Sequence, residues 1–313
     1  MKAITLNGPG GAEQLRITEL PQPVAQEGEV VVQVKAFSIN PVDIKTRNGK
    51  AMMGRLKDEN PIILGWDISG IVTTVGANVT DFKEGDAVFG MVNFPGHGKA
   101  YAEYVAAPAA HLALKPGNIS HEEAAAATLA ALTAWQALVT QAAIKPGDKI
   151  LVHAAAGGVG HYAVQIAKYL GAHVTGTSSA ANKEFVTGLG ADAHIDYKSQ
   201  RFEEVTGGLD LVLDAFGGDM IERSLEVIKP GGQLITLPSG AVEGLTEKSA
   251  AKGIKGYNFM VSSNGKDMAR LAELLEKRII KSHVSQVFPF AEIAKAHQQV
   301  ETGRTVGKVV VRP

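Results

Sequence analysis

The residues of this chain best suited to chemistry lie within "KILVHAAAGGVGHYAVQIAKYLG" (149–171), where Ala156, Gly157, Gly158, Val159 and Gly160 separate an apolar run from a helical one. Glycines at a strand-to-helix turn let the backbone approach a pyrophosphate with no Cβ in the way. The helix behind them offers unpaired N–H groups and the positive end of its dipole. The spacing is Ala154-x-x-Gly157-x-x-Gly160 with Gly158 added, a turn one residue longer than G-x-G-x-x-G and opening on alanine. In a strand–turn–helix setting this is a dinucleotide cradle.

The second feature is a missing carboxylate. A site selective for an unphosphorylated adenosine ribose presents Asp or Glu about 20 residues beyond the glycines. Here that count reaches "TSSAANK" (177–183), and no acid occurs before Glu184. Ser178 and Ser179 can donate hydrogen bonds to a 2′-phosphate, and Lys183 adds a charge-assisted one. Tyr197, closing "AHIDY" after the next strand, stands on the same edge. The cofactor expected is NADP(H).

The elements that must position these groups follow from periodicity. Up to about residue 118 the chain reads as short strands, "GEVVVQVKAFSIN" (28–40), "DISGIVTTVG", "DAVFGMV" and "AYAEYVAAP", broken by glycine turns as in a compact barrel. "SHEEAAAATLAALTAWQALV" then starts one helix at Ser120, with Glu122 and Glu123 in its first turn. Strand and helix alternate from there to "GGQLITLPSG", the pattern of a parallel, doubly wound sheet. Two amphipathic helices and the strand "GKVVVRP" end the chain and are expected to return to the first domain.

Composition narrows the function classes. Lys and Arg (31) balance Asp and Glu (32), which removes the case for nucleic acid or an anionic membrane as partner. There are no cysteines, so disulfides, thiolate catalysis and cysteine-ligated zinc are excluded. No apolar run approaches a membrane span and no secretory core opens the chain, so a cytoplasmic location is expected.

The stretches "AFSINPVDIKTRNG" (36–49), "GWDISGIVTTVG" (65–76), "GDAVFG", "YAEYV", "AAATLAALTAWQAL", "HAAAGGVG" and "GRTVGKVVV" (303–311) run in order along nearly the whole chain. Together they resemble the zinc-independent quinone oxidoreductases of the medium-chain dehydrogenase/reductase superfamily. The resemblance implies an α/β protein with a GroES-like β-rich catalytic domain, 1–121 and 266–313, around an inserted Rossmann NADP-binding domain, 122–265. The active site would lie in the cleft between them, and a homodimer is expected. Zinc-dependent relatives carry Cys where this chain has Asn40 and Gly-His-Glu where it has Gly65-Trp66-Asp67; no metal site is expected. His97 is the one histidine whose loop setting invites a ligand role, and a solvated surface position is the expectation for it.

By the same resemblance Asn40 lies near the nicotinamide ribose and the substrate oxygen. Asp43 either orients that loop or caps the turn of "NPVD"; the pair are the candidate catalytic residues. Thr133 resembles the position that contacts the nicotinamide carboxamide. Pro238 and Ser239 ("LPSG"), Phe216 ("DAFGG"), and Phe259 and Asn264 ("YNFMVSSNG") are candidate cofactor contacts that could equally be packing or turn residues. Related reductases often place a tyrosine soon after "NPVD". Here the run is "IKTRNG", so no general acid is expected there and the proton would come from water or a ribose hydroxyl.

Without a Lewis acid, hydride transfer suits an already electron-poor acceptor. The expected activity is NADPH-dependent reduction of a quinone or an α,β-unsaturated carbonyl compound. The alternatives are an enoyl-thioester reductase and a non-catalytic NADPH-binding protein. The loop "KAMMGRLKDENP" (50–61) is the candidate lining of the substrate pocket, its two methionines forming an adaptable wall or facing solvent.

Overall fold

A computed structural model describes residues 1–237 and 242–313 and resolves two compact units, Met1–Leu132 with Val261–Pro313, and Thr133–Met260. Pro238 and Ser239 lie outside the described residues.

The first unit begins with an antiparallel pair, β1 (Lys2–Leu6) and β2 (Leu15–Glu19). The 11-residue β3 (Glu29–Ile39) follows, with Val30, Val31, Val32, Val34, Ala36, Phe37 and Ile39 buried. It leads through Asn40 into α1 (Pro41–Arg47), a helix the strand-rich reading did not include, although Pro41 at its first turn suits a helix start. After α2 (Met53–Leu56) come β4 (Asp67–Val75), β5 (Ala87–Met91), β6 (Tyr104–Pro108) and β7 (Leu112–Leu114).

The segment read as one helix from Ser120 is broken. Ser120 and Glu123 form a reciprocal cap at the start of α3 (His121–Ala126), and α4 (Leu129–Trp135) starts afresh before a wider π-type turn, Gln136–Gln141. The physical reason is local and distant at once. Thr128 Oγ1 bonds back to Ala125 O at 2.8 Å, and the Leu129 N–H is taken by the Asp67 carboxylate at 2.9 Å.

The second unit alternates β8 (Lys149–Val152), α5 (Gly160–Tyr169), β9 (His173–Ser178), α6 (Lys183–Gly188), β10 (Ala193–Asp196), α7 (Phe202–Val205), β11 (Leu209–Asp214), α8 (Asp219–Val227), β12 (Ile228–Thr236), α9 (Leu245–Ala251) and β13 (Lys255–Asn258). All five strand pairings are parallel, in the order β10-β9-β8-β11-β12-β13. The two crossovers on either side of β8 run outward in opposite directions, the switch point of a doubly wound sheet. Leu151, Val212, Leu225, Leu234 and Leu245 fill part of its core.

The tail adds α10 (Gly265–Glu276), β14 (Val284–Pro289), α11 (Ile293–Glu301) and β15 (Lys308–Arg312) to the first unit. Strand β15 pairs antiparallel with β3, setting Val310 beside Ser38 and Val309 beside Ile39. The seven-stranded sheet so formed runs β14-β15-β3-β4-β5-β7, with β6 also on β3. That register brings Lys308 to the end of β3, next to Asn40.

Candidate functional site

In the second unit the glycine turn has the shape a phosphate cradle requires. A Cβ on Gly160 would lie 2.1 Å from the Ala154 carbonyl oxygen and 2.8 Å from Ala155 Cα, so the turn closes only with glycine there. Ala154 takes φ 51°, the left-handed region. Gly157 N–H donates to Ala154 O at 2.8 Å and Ala155 N–H to Thr177 O at 2.9 Å, tying the turn to β9. Gly176 admits the packing behind it, since its Cβ would meet Ala155 Cβ at 2.8 Å and Val186 Cγ1 at 2.7 Å. Helix α5 starts at Val159–Gly160 with no side-chain cap; the His161 and Tyr162 N–H groups are taken by Gly157 O and Val159 O at 3.0 and 3.1 Å, so a ligand would meet the amides before them, at 158–160. Ala156 and Gly160 are buried, while Gly157, Gly158 and Val159 are partly open.

At the end of β9 the structure gathers Ser178, Ser179, Lys183 and Tyr197. Lys183 and Tyr197 are exposed, and the Tyr197 N–H donates to Ser178 O at 3.2 Å. Two residues that the sequence reading passed over join them. His194 of β10 places Nε2 2.8 Å from Ser178 Oγ. Asp196 accepts from the N–H groups of Ala180 and Lys198, each at 3.2 Å, and from Ser199 Oγ at 2.7 Å. These donors hold its carboxyl below the ordinary range. A carboxylate is thus present near the loop, supplied by the neighbouring strand, and engaged in shaping 179–183. Its signal was the "D" of "AHIDY".

Phe216 is exposed, its ring 6.4 Å from that of His153. The Phe216 turn is set by Asp214, which accepts from the N–H groups of Phe216 and Gly217 and from Thr236 Oγ1 at 2.8–2.9 Å. Phe259 N–H donates to Thr236 O at 2.9 Å, beyond the end of β13. Asn264 belongs to the first unit and caps α10: its Oδ1 accepts from Lys266 and Asp267 N–H at 2.9 and 3.1 Å. Thr133, on α4, is 6% exposed.

In the first unit Asn40 and Asp43 lie within a buried polar cluster. Asn40 Nδ2 donates to Asp67 Oδ2 at 2.7 Å, while Asn40 Oδ1 accepts from the Lys308 ammonium, which also bonds Ile39 O at 3.1 Å. Ser38 Oγ donates to the same Asp67 oxygen. Asn40 is 1% exposed, and its carboxamide is held at both ends by protein groups. Asp43, third residue of α1, accepts from the Asn40 N–H at 2.6 Å, which is helix capping. Burial raises its pKa to about 7, with the Asn40 N–H bond opposing and the Asp67 charge adding to the rise.

Tyr101, from the "YAEYV" stretch, is the hydroxyl facing Asp43 that "IKTRNG" does not provide. Burial drives its pKa up and the Asp43 charge drives it further. Its Oη lies 3.0 Å from His297 Nε2, and Arg47 approaches His297 Nδ1 at 3.3 Å and pairs with Glu301. Because the guanidinium only donates, Nδ1 accepts and Nε2 carries the hydrogen. Arg47 thus donates to His297 and His297 to Tyr101, while Asp43 Oδ1 is buried with no hydrogen-bond partner among the described residues. Burial lowers the His297 pKa to about 3.

His97 departs from the surface expectation. Its side chain is 7% exposed, with Nδ1 3.1 Å from Glu59 and Nε2 at the Ile63 backbone. It thereby pins the end of the 50–61 loop, in which Met52 and Met53 are buried.

Family models match residues 26–117 as an alcohol dehydrogenase GroES-like domain and 189–311 as a zinc-binding dehydrogenase. The chain is therefore a dehydrogenase/reductase of the medium-chain superfamily. It is 35% identical to a 2-methylene-furan-3-one reductase of Solanum lycopersicum, covering 100% of this chain and 79% of that one. It is 36% identical to an NADPH-dependent alkenal/one oxidoreductase, chloroplastic, of Arabidopsis thaliana, covering 100% and 80%. Among solved structures, the quinone oxidoreductase from Coxiella burnetii superposes with a TM-score of 0.95 at 35% identity, over 100% of this chain and 99% of that one. Within the superfamily, the chain belongs to the quinone oxidoreductase family.

The description "zinc-binding" raises the question of a metal, and the donor set does not fit one. Among the described residues no group of three or more His, Cys, Asp or Glu is placed to hold a metal ion. Where the resemblance puts zinc ligands, Asn40 and Asp67 face a cation that belongs to the chain, the Lys308 ammonium, 3.7 Å from Asp67. Among the described residues no helix is long and apolar enough to cross a membrane.

Proposed function

We propose that this protein is an NADPH-dependent reductase that transfers hydride, without zinc, to quinones or α,β-unsaturated carbonyl compounds. The observation that carries the reading is the pairing of a cradle that closes only with glycine at Gly160 with a β9 end that offers Ser179, Lys183 and Tyr197 to an adenosine phosphate. The kinship with an NADPH-dependent alkenal/one oxidoreductase and a quinone oxidoreductase supports both the coenzyme and the acceptor class. When bound, the nicotinamide supplies the hydride; the chain supplies orientation and shielding from water. An electron-poor acceptor needs no Lewis acid, which agrees with a Lys308 ammonium at the position where relatives would put metal ligands.

Within this reading the buried Asn40 and Asp43 hold the start of α1 in place, Asn264 caps α10, and Thr133, Phe216 and Phe259 are the residues of the second unit we assign to the coenzyme. We further propose a cytoplasmic homodimer; among the described residues β13 is an edge strand of the six-stranded sheet, a place where a second copy can pair. The test is anaerobic NADPH oxidation against a panel of quinones and short enones, with and without a chelator. Turnover untouched by the chelator is expected. Tight NADPH binding with no turnover across the panel would replace the reading with that of a non-catalytic NADPH-binding protein.

A further inference from the structure

Ser178 Oγ donates to Ser179 O at 3.1 Å, so toward His194, 2.8 Å away, it is an acceptor. His194 Nε2 therefore carries a hydrogen, and Nδ1, with no hydrogen bond among the described residues, is the atom free to take up a proton. The ring is half-buried on β10, where His194 lies opposite Gly176 and Asp196 opposite Ser178. The charged groups acting on it are Asp196 from its own strand and Lys183 from the start of α6; its neighbour on β9, Ser178, is uncharged.

The charges at this corner do not suffice for a 2′-phosphate as they stand. A phosphate near neutrality brings almost two negative charges to a place that already holds the Asp196 carboxylate. Against these almost three negative charges the corner sets two cations, Lys183 and the exposed Lys198 beside Tyr197. We propose that His194 is a further ligand of the adenosine 2′-phosphate, neutral in the free protein and protonated in the complex, so that NADPH binding takes up a proton and NADH binding does not. This rests on the reading of the β9 end as the NADPH-selecting corner. Burial lowers the free ring's pKa, and Asp196 pulls it back upward; an arriving dianion pulls the same way.

The experiment is dinucleotide titration by calorimetry in buffers of different ionisation enthalpy, with dissociation constants measured from pH 8.5 to 6.5. Staying above pH 6.5 keeps the ligand's own phosphate, which titrates near about 6, mostly dianionic. The expected result is proton uptake with NADPH and an affinity that tightens by about fivefold across that range, inside the tenfold-per-unit limit for one linked proton. NADH affinity stays flat. His194→Gln retains a donor for Ser178 and should abolish the uptake and flatten the NADPH curve. His194→Lys should bind NADPH tightly at both ends of the range with no uptake. An NADPH curve of the same slope in wild type and His194→Gln would overturn the proposal while leaving NADPH preference intact. NADPH binding no tighter than NADH at any pH would instead break the underlying reading.

Discussion

The first unit and the second each gather an acid, a cation and a hydroxyl, and they use them in opposite ways. Around Asn40, the Asp67 carboxylate, the Lys308 ammonium and Ser38 are buried and engage one another. At the end of β9, Asp196, Lys183 and Ser178 lie at a partly open corner where Lys183 bonds none of the others. A buried ion must be paired from within, because water cannot pay its desolvation. An exposed one can wait for a ligand. The buried cluster therefore positions backbone, the Asn40 N–H and the start of α4, while the open corner keeps its valence for a phosphate.

The largest effect that could break this contrast is on stability. Lys308→Met leaves Asp67 as an unpaired buried charge and should cost about 3–5 kcal/mol, read as a fall in the urea midpoint. Lys308→Met with Asp67→Asn should recover much of the loss, since the second change removes the orphaned charge. Equal losses in the single and double variants would mean that Lys308 acts through packing alone.

The legibility of the two regions in the sequence follows the same line. The cradle was readable because strand, glycines and helix are contiguous, and the serine–lysine loop because it falls at a fixed distance from them. The central strands were readable from their apolar runs. The buried cluster was not: Asn40 meets Asp67 across 27 residues, Leu129 meets Asp67 across 62, and Lys308 meets Asn40 across 268. Only the register of β15 on β3 brings the last pair together. Asn40 itself was flagged by resemblance, but its engagement at both ends of the carboxamide, and the Tyr101–His297–Arg47 chain, depend on that same long-range pairing. Helix α4 was missed as a separate element for the same reason, since the acceptor that takes the Leu129 N–H is Asp67.

A smaller effect separates the buried groups by pH. His297, at about 3, and His153, at about 4, are held neutral by burial, each against an ordinary value of 6.5. The unfolded chain binds protons there that the native one refuses, so their contribution is complete above pH 6.5 and falls as the solution is acidified. Each should lose about 2 kcal/mol between pH 6.5 and 5. Asp43 has the opposite sign. Raised from 3.8 to about 7, it holds a proton that the unfolded chain gives up, so its contribution is complete below 3.8 and lost as pH rises toward 7. Over the same interval it should return about 2 kcal/mol on acidification, leaving a net loss near 2. Asp43→Asn should steepen the acid loss and His297→Asn should relieve it. Chemical denaturation at pH 5 and 6.5 measures both; a shallower slope in Asp43→Asn would put the buried carboxyl's proton elsewhere.

At the open corner the effects should fall on binding and spare the fold. Lys183→Ala removes one charge-assisted contact to a phosphate and should weaken NADPH about tenfold, with the NADH constant and the urea midpoint unmoved. Equal weakening of both dinucleotides would show that Lys183 supports the loop and does not read the 2′-phosphate.

The finest test is Ser178→Ala, because Ser178 belongs to both regimes: it is 5% exposed, yet its hydroxyl faces the corner through His194. Removing that oxygen takes away the acceptor that orients the His194 ring, a neutral bond worth about 0.5–1 kcal/mol. If Ser178 acts through His194, NADPH affinity should fall about threefold at pH 6.5, where the ring is asked to carry charge, and hardly at all at pH 8.5. If it belongs to the buried regime, the urea midpoint should drop and the two dinucleotides should weaken together at every pH. The location of a side chain on the surface-to-core scale would then decide its role more strongly than its chemistry, and the boundary between the two regimes would run between Ser178 and Lys183.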